Sequence, residues 1–265
     1  MSTNKFLLSV FLAAAATGAQ ADVTVNTTTS GKASFLNVGG DGVTQIKGTR
    51  QRTDQAMGGK AQSLIIDIDG RRFVDIDAKK KVATVTPLAS IADELQKVGI
   101  GTMAATLAKT AQTKQVAGYP CTVHDIRVSL PFSPTGQTGQ GMDLTMVLSG
   151  TVCLSTTVPG LADYQQFYKA AADSGFIFGD PRTAKSPVGA AQAKAYAELT
   201  RKMAEAGMAL ETHINVDASG DSPMAGMFSK LAKSEITSTV TKVTAGDLPA
   251  DAFEIPADYK VKTQK

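Results

Sequence analysis

The sequence predicts an α+β protein built on antiparallel strands, and three observations carry that prediction. Two long stretches, Asp22 to about Leu88 and Tyr119 to Pro159, alternate with period two and are rich in Thr and Val. Gly and Asp clusters break those stretches as turns do. Helical spacing is confined to the segments between and after them. At 265 residues, 43% hydrophobic and 19% charged, the chain is neither disordered nor collagen-like.

The elements follow in order. Lys5 precedes an apolar run, Phe6 to Ala16, that is too short to span a bilayer and ends in Ala19-Gln20-Ala21. This is the pattern of a secretory signal peptide cleaved after Ala21, so a mature single domain is expected over 22–265, exported to a bacterial periplasm. No other stretch is apolar enough for a transmembrane helix, and no cysteine sits at the cleavage point for lipid attachment.

Leu64, Ile66 and Ile68 alternate toward one side. A turn at Asp69-Gly70-Arg71 sets Ile66 opposite Val74 and Leu64 opposite Ile76, and a second turn at Ala78 to Lys80 leads into Val82 to Thr86. The reading is an antiparallel meander. Ser90 with Asp93 then resembles a capping box, followed by Ile91, Leu95 and Val98 at helical intervals; Met103 and Leu107 resume the spacing after Gly99 and Gly101. One broken helix or two short ones fit.

Val123–Leu130 and Met142–Leu154 read as strands of a long hairpin joined by the turn-rich 131–141 segment. Pairing Ile126 with Leu148, Val128 with Met146 and Leu130 with Leu144 puts six apolar side chains on one face, with His124 opposite Gly150. The same register sets Cys121 across from Cys153 on the other face. A disulfide is favoured in an oxidising compartment; two free thiols are the alternative. A redox-active pair is disfavoured, because such cysteines sit as Cys-x-x-Cys at a helix start.

After Pro159-Gly160, the spacing of Leu161, Tyr164, Tyr168 and Ala171 predicts a short helix. Val188, Ala195, Leu199 and Met203 predict a longer one ending at Gly207. Two further strands, about Ala209 to Val216 and Glu235 to Val243, close the chain.

Catalytic equipment is sparse. His124 and His213 lie on separate strands outside any two-histidine metal motif, and His124 reads as a core or cavity-lining side chain. There is no Gly-x-Ser-x-Gly elbow, and Gly58-Gly59-Lys60 lacks the spacing of a phosphate loop. Asp67, Asp69, Asp75 and Asp77 lack the alternating ligand order of a calcium loop and read as the outward face and turns of a hairpin, so no metal is expected. The 27 basic and 24 acidic residues are interspersed, and the run Lys79-Lys80-Lys81 falls at a turn. Nucleic-acid binding is therefore not expected. Nor is a cofactor or an enzymatic activity.

Several segments resemble a widespread group of bacterial exported proteins of unknown function whose fold is related to the LolA/LolB lipoprotein carriers. They are Gly48-Thr49-Arg50 through Asp54, Ile65 to Asp69 with Val74-Asp75-Ile76-Asp77 and Lys81, Ala117-Gly118-Tyr119-Pro120-Cys121, Gly150 to Gly160 with Tyr164 and Phe167-Tyr168, and the closing Leu248 to Lys260 with its Phe-x-x-Pro-x-x-Tyr spacing. Where such proteins often carry Trp before the Pro-Gly, this chain has Cys153. The resemblance implies a strongly curved antiparallel sheet, an incomplete barrel, with helices covering its concave face and an apolar pocket between. It implies a carrier of a lipid, acyl chain or lipoprotein segment, with Ile126, Val128, Leu130, Leu144, Met146, Leu148 and His124 as cavity candidates. The alternative is a cell-envelope interaction or stress-sensing module that binds a protein partner.

Overall fold

Twelve strands pair into one sheet in the computed structural model, which describes residues 22–33, 36–57, 60–88, 104–132, 144–174, 187–220 and 234–264. The expected signal peptide, the helical segment led by Ser90 and residues 133–143 of the long hairpin loop lie outside the described residues. The strands are β1 (Val23–Ala33), β2 (Leu36–Lys47), β3 (Arg50–Met57), β4 (Lys60–Asp67), β5 (Arg72–Asp77), β6 (Val82–Pro87), β7 (Ala104–Val116), β8 (Tyr119–Phe132), β9 (Leu144–Ser155), β10 (Met208–Gly220), β11 (Ser234–Ala245) and β12 (Lys260–Thr263). Two helices, α1 (Leu161–Asp173) and α2 (Pro187–Ala206), stand between β9 and β10.

The spatial order runs β12-β6-β5-β4-β3-β2-β1-β11-β10-β9-β8-β7. Every pairing is antiparallel except the last strand, which adds to β6 in parallel. The sheet is not closed. It curls enough that edge strand β7 returns to within 8 Å of β11, Cα to Cα, without pairing to it.

Turn chemistry explains the hairpins. Between β7 and β8, Ala117 and Gly118 both take positive φ, 52° and 84°, as a two-residue turn of the primed kind demands. The β4–β5 and β5–β6 connections are a repeated device. In each, an aspartate at the strand end, Asp67 or Asp77, accepts the backbone N–H three residues on, from Gly70 or Lys80. A basic residue with φ near 50°, Arg71 or Lys81, then closes a four-residue loop.

That loop is one residue longer than expected, so the meander register is corrected. Ile65 pairs with Val74 and Ile66 with Phe73; Leu64 lies opposite Asp75 and not Ile76. The physical reason is that both faces of this part of the sheet are buried. Ile65, Val74 and Ile76 pack on one face and Ile66 and Phe73 on the other, so alternation alone does not fix parity.

A second correction concerns Leu107, read as helical; Met103, read with it, lies outside the described residues. From Ala104 on, the chain is β7, a strand whose Ala, Lys and Gln content favours helix; its pairing with β8 overrides that preference. A third concerns the long hairpin. Ile126 pairs with Gly150, Val128 with Leu148, Leu130 with Met146 and His124 with Val152, two residues from the expected register. Parity is kept, because β8 and β9 run to Phe132 and from Leu144 and so centre their loop one residue later.

The Cys121–Cys153 disulfide is present, with the cysteine Cα atoms 5.4 Å apart. Cys153 pairs with Val123, so the bridge is diagonal across the hairpin. A flat diagonal pair is separated by roughly 7–8 Å. Twist at this end of the hairpin accounts for the closer approach.

Three apolar layers result. The largest gathers Val23, Val25, Ile46, Ile66, Phe73, Val116 and side chains of β8 to β11 around Phe167 and Ala171 of α1. Residues from both ends of the sheet meet there because the sheet wraps around them. A second layer lies under α2. The third covers β4–β6, where Phe253, on the 3-10 turn Ala250–Phe253, is inserted among Ile65, Val74, Ile76 and Ala83.

Candidate functional site

Alternation along β8 divides its side chains between two layers, one touching α1 and the other α2, while the two helices also pack against each other. Cys121 and Val123 belong to the layer around α1, whereas Ile126 and Val128 belong to the layer under α2. Their neighbours on β9 and β10 follow suit: Leu148, Val152 and Leu154 are buried under α2, with Met146, Ile214 and Val216 half-buried beside them. Four of the expected cavity residues, Ile126, Val128, Met146 and Leu148, thus meet in one place. Leu130 and Leu144 lie in the paired strands with side chains outside the described residues.

Helix α2 covers this face with a stripe, Leu199, Met203 and Ala206, at the spacing that aligns side chains on one side of a helix. The helical spacing predicts α2, but no local pattern predicts its partner strands. Met146 and Met203 both border the layer, and unbranched thioethers adapt to a changing occupant. Polar ties holding α2 down are few among the described residues. Lys202 Nζ donates to the Ala105 carbonyl of β7 at 2.6 Å, and Gln165 Nε2 of α1 donates to the Ala204 carbonyl at 2.7 Å. Gly207 ends the helix against β9, where a Cβ would come 2.6 Å from the Ser155 carbonyl oxygen.

The two histidines lie on opposite faces. His124 is buried on the α2 face, its Nδ1 hydrogen-bonded to the Thr122 carbonyl at 2.9 Å. His213 is half-buried on β10, with Nδ1 at 2.9 Å from Thr237 Oγ1 and Nε2 accepting from Asn215 Nδ2 at 3.3 Å. They cannot act on one substrate atom.

The inner layer holds polar groups too. Asp163, in the first turn of α1, is 3% exposed. Burial raises its carboxyl above the ordinary range, and the Asp22 carboxylate adds to the effect. Burial also pushes the Tyr164 phenol up to about 12 and Tyr168 well above its usual value. The two rings lie 4.4 Å apart between centroids, and both stay neutral at physiological pH.

The acidic row is structural. Asp67 accepts from Gly70 N and from Arg72 Nε at 3.0 Å, and Asp69 accepts from Thr49 Oγ1 at 2.7 Å. These groups border a polar surface cleft of about 540 Å³ with Lys47, Arg50 and Gln166. The cations there are already engaged: Lys47 with Asp22 at 2.6 Å, Arg50 with Glu254 at 3.8 Å and with the Phe253 ring at 5.2 Å from its centroid. Among the described residues, no group of three or more His, Cys, Asp or Glu side chains is placed to hold a metal. No helix among them is long and apolar enough to cross a membrane.

No family model matches the chain and no curated protein matches it. One solved structure that aligns with it is a Vibrio parahaemolyticus domain assigned to outer membrane lipoprotein sorting. The alignment covers 89% of this chain and 91% of that one, at 8% identity and a TM-score of 0.23. Likeness at that level carries no argument about ligand or partner.

Proposed function

We propose that the protein is a non-catalytic carrier that holds a hydrophobic ligand, a lipid, acyl chain or lipoprotein segment, between α2 and the apolar face of β7–β10. One observation carries the reading. A contiguous apolar face drawn from four strands is covered by a single helix that contributes Leu199, Met203 and Ala206 and is tied by two described side-chain hydrogen bonds. Lifting that helix parts α2 from α1, against which it packs, but leaves the layer around Phe167 and Ala171 in place. A guest replaces the helix contacts with its own, so the burial of Ile126, Val128 and Leu148 is kept.

The working unit is residues 22–265, exported to the periplasm after cleavage at Ala21. The disulfide supports that location, because such bonds persist in oxidising compartments.

Native mass spectrometry of the purified protein, followed by organic extraction and add-back of palmitate or hexadecanol, tests the carrier reading. A bound hydrophobic molecule, or a one-to-one adduct on add-back with a raised melting temperature, is expected. No co-purifying molecule and no adduct with either probe refutes it.

A further inference from the structure

We propose that Lys109 and His124 form a head-group station at one end of the α2 layer, and that its ligand is a single acyl chain ending in a free carboxylic acid. The proposal rests on the carrier reading and adds the chemistry of the ligand's polar end. His124 Nδ1 faces the Thr122 carbonyl at 2.9 Å. A carbonyl only accepts, so Nδ1 carries the proton and Nε2 presents a lone pair. That lone pair has no partner among the described residues, and Nε2 is not sealed from solvent. The ring itself is 8% exposed. An almost buried imidazole with an unused acceptor therefore stands at the border of an apolar layer.

The strand register supplies its neighbours. His124 follows the parity of Ile126 and Val128, so it shares their face; Val152 lies opposite on β9 and Lys109 opposite on β7. Lys109 is exposed and has no ion pair or hydrogen bond among the described residues. Immediately after it β7 bulges: Thr110 Oγ1 donates to the Val123 carbonyl at 2.8 Å and Gln112 N donates to Thr110 Oγ1 at 3.1 Å. Bulges of this kind re-aim side chains, and here the bulge marks the point where the register shift leaves Lys109 facing His124.

A cation and an acceptor thus sit together where the apolar track begins. From His124 to Val128 that track is about 13 Å long at the usual rise of a strand. A carboxylic acid matches both groups. Its O–H donates to His124 Nε2, and its second oxygen accepts from the Lys109 ammonium. If the proton passes wholly to Nε2, the result is an imidazolium–carboxylate pair with Lys109 still beside the carboxylate. An alcohol can donate to Nε2 and accept from the ammonium with its one oxygen, but it brings no charge to pair with Lys109 and so makes the weaker, neutral contact, and a quaternary ammonium head is repelled.

Calorimetric titration of the purified protein with palmitate and with hexadecanol, which differ at the head alone, tests the station. Palmitate is expected to bind at least tenfold tighter, and Lys109→Met to reduce that preference to threefold or less. The 15N resonance of His124 Nε2 should shift on adding palmitate and stay in place with hexadecanol. Equal affinities, or a preference that survives in Lys109→Met with Nε2 unmoved, overturn the station while leaving the carrier reading intact. Binding of neither probe overturns the station, and together with the absence of a co-purifying molecule it overturns the carrier reading itself. His124→Phe should act like Lys109→Met; if it fails to fold, the exposed Lys109 and the Nε2 resonance decide.

Discussion

Reducing the Cys121–Cys153 bridge should destabilise the protein by an amount that follows from its place in the chain. The bond closes a loop with a sequence separation of 32 residues. Loop-closure entropy for that length corresponds to about 3.7 kcal/mol at 25 °C, acting through the unfolded chain. Little is lost from the native state, because Cys121 and Cys153 are 3% and 2% exposed and two thiols occupy nearly the same packed site. Equilibrium urea unfolding with and without a phosphine reductant measures the difference. For a slope of about 2–3 kcal/mol/M the midpoint should fall by roughly 1.5 M, with a slightly steeper slope as the reduced chain exposes more surface. A midpoint unchanged within about 0.3 M would refute the loop-entropy reasoning. Free thiols detected in the unfolded, unreduced protein would remove its premise.

Phe253→Ala should cost about 3–5 kcal/mol if the C-terminal segment stays docked, since the ring is 1% exposed among Ile65, Val74, Ile76 and Ala83. Denaturant unfolding, with hydrogen exchange read at residues 248–264, checks this; a loss under 1 kcal/mol with unchanged protection refutes it. Asp163→Asn should relieve a cost that depends on pH. Because burial raises the folded-state value of Asp163, wild-type stability from this group is fully present below the ordinary aspartate value and falls as pH rises through the raised one. The variant's advantage should therefore grow from about pH 4 upward and then level off. A difference that is flat across pH 3 to 8, measured by urea unfolding, would contradict the assignment.

Much of the fold is legible because turns and alternation are local. Asp22 to Leu88 and the 121–154 hairpin, both helices after Pro159 and the two closing strands all follow from such signals. The errors also have local causes. Ile65 and Ile66 are both buried, so the β4–β5 pattern carries two equally good parities, and the four-residue loop decides between them. Leu107 reads as a continuation of helical spacing because an edge strand buries few side chains and so shows little apolar alternation around it.

The site was half legible. Parity on one hairpin was enough to gather Ile126, Val128, Met146 and Leu148, since a register error of two residues preserves the face. Lys109 was invisible because its strand was. Phe253 belongs to the closing Phe-x-x-Pro-x-x-Tyr segment, yet its partners on β4 to β6 lie far upstream, and no short-range pattern announces them.

Sheet order also bears on how the molecule comes into being. β1 finds one neighbour in β2 nearby, but its other edge pairs with β11, Val23 against Ala245, almost the full length of the chain away. The two halves of the sheet therefore join only once β11 has been made, and β6 waits still longer for Lys260 to Thr263. Contacts of such long sequence separation fold slowly. A chain whose first strand needs a partner more than two hundred residues downstream cannot complete its sheet early, so slow assembly is built into this strand order.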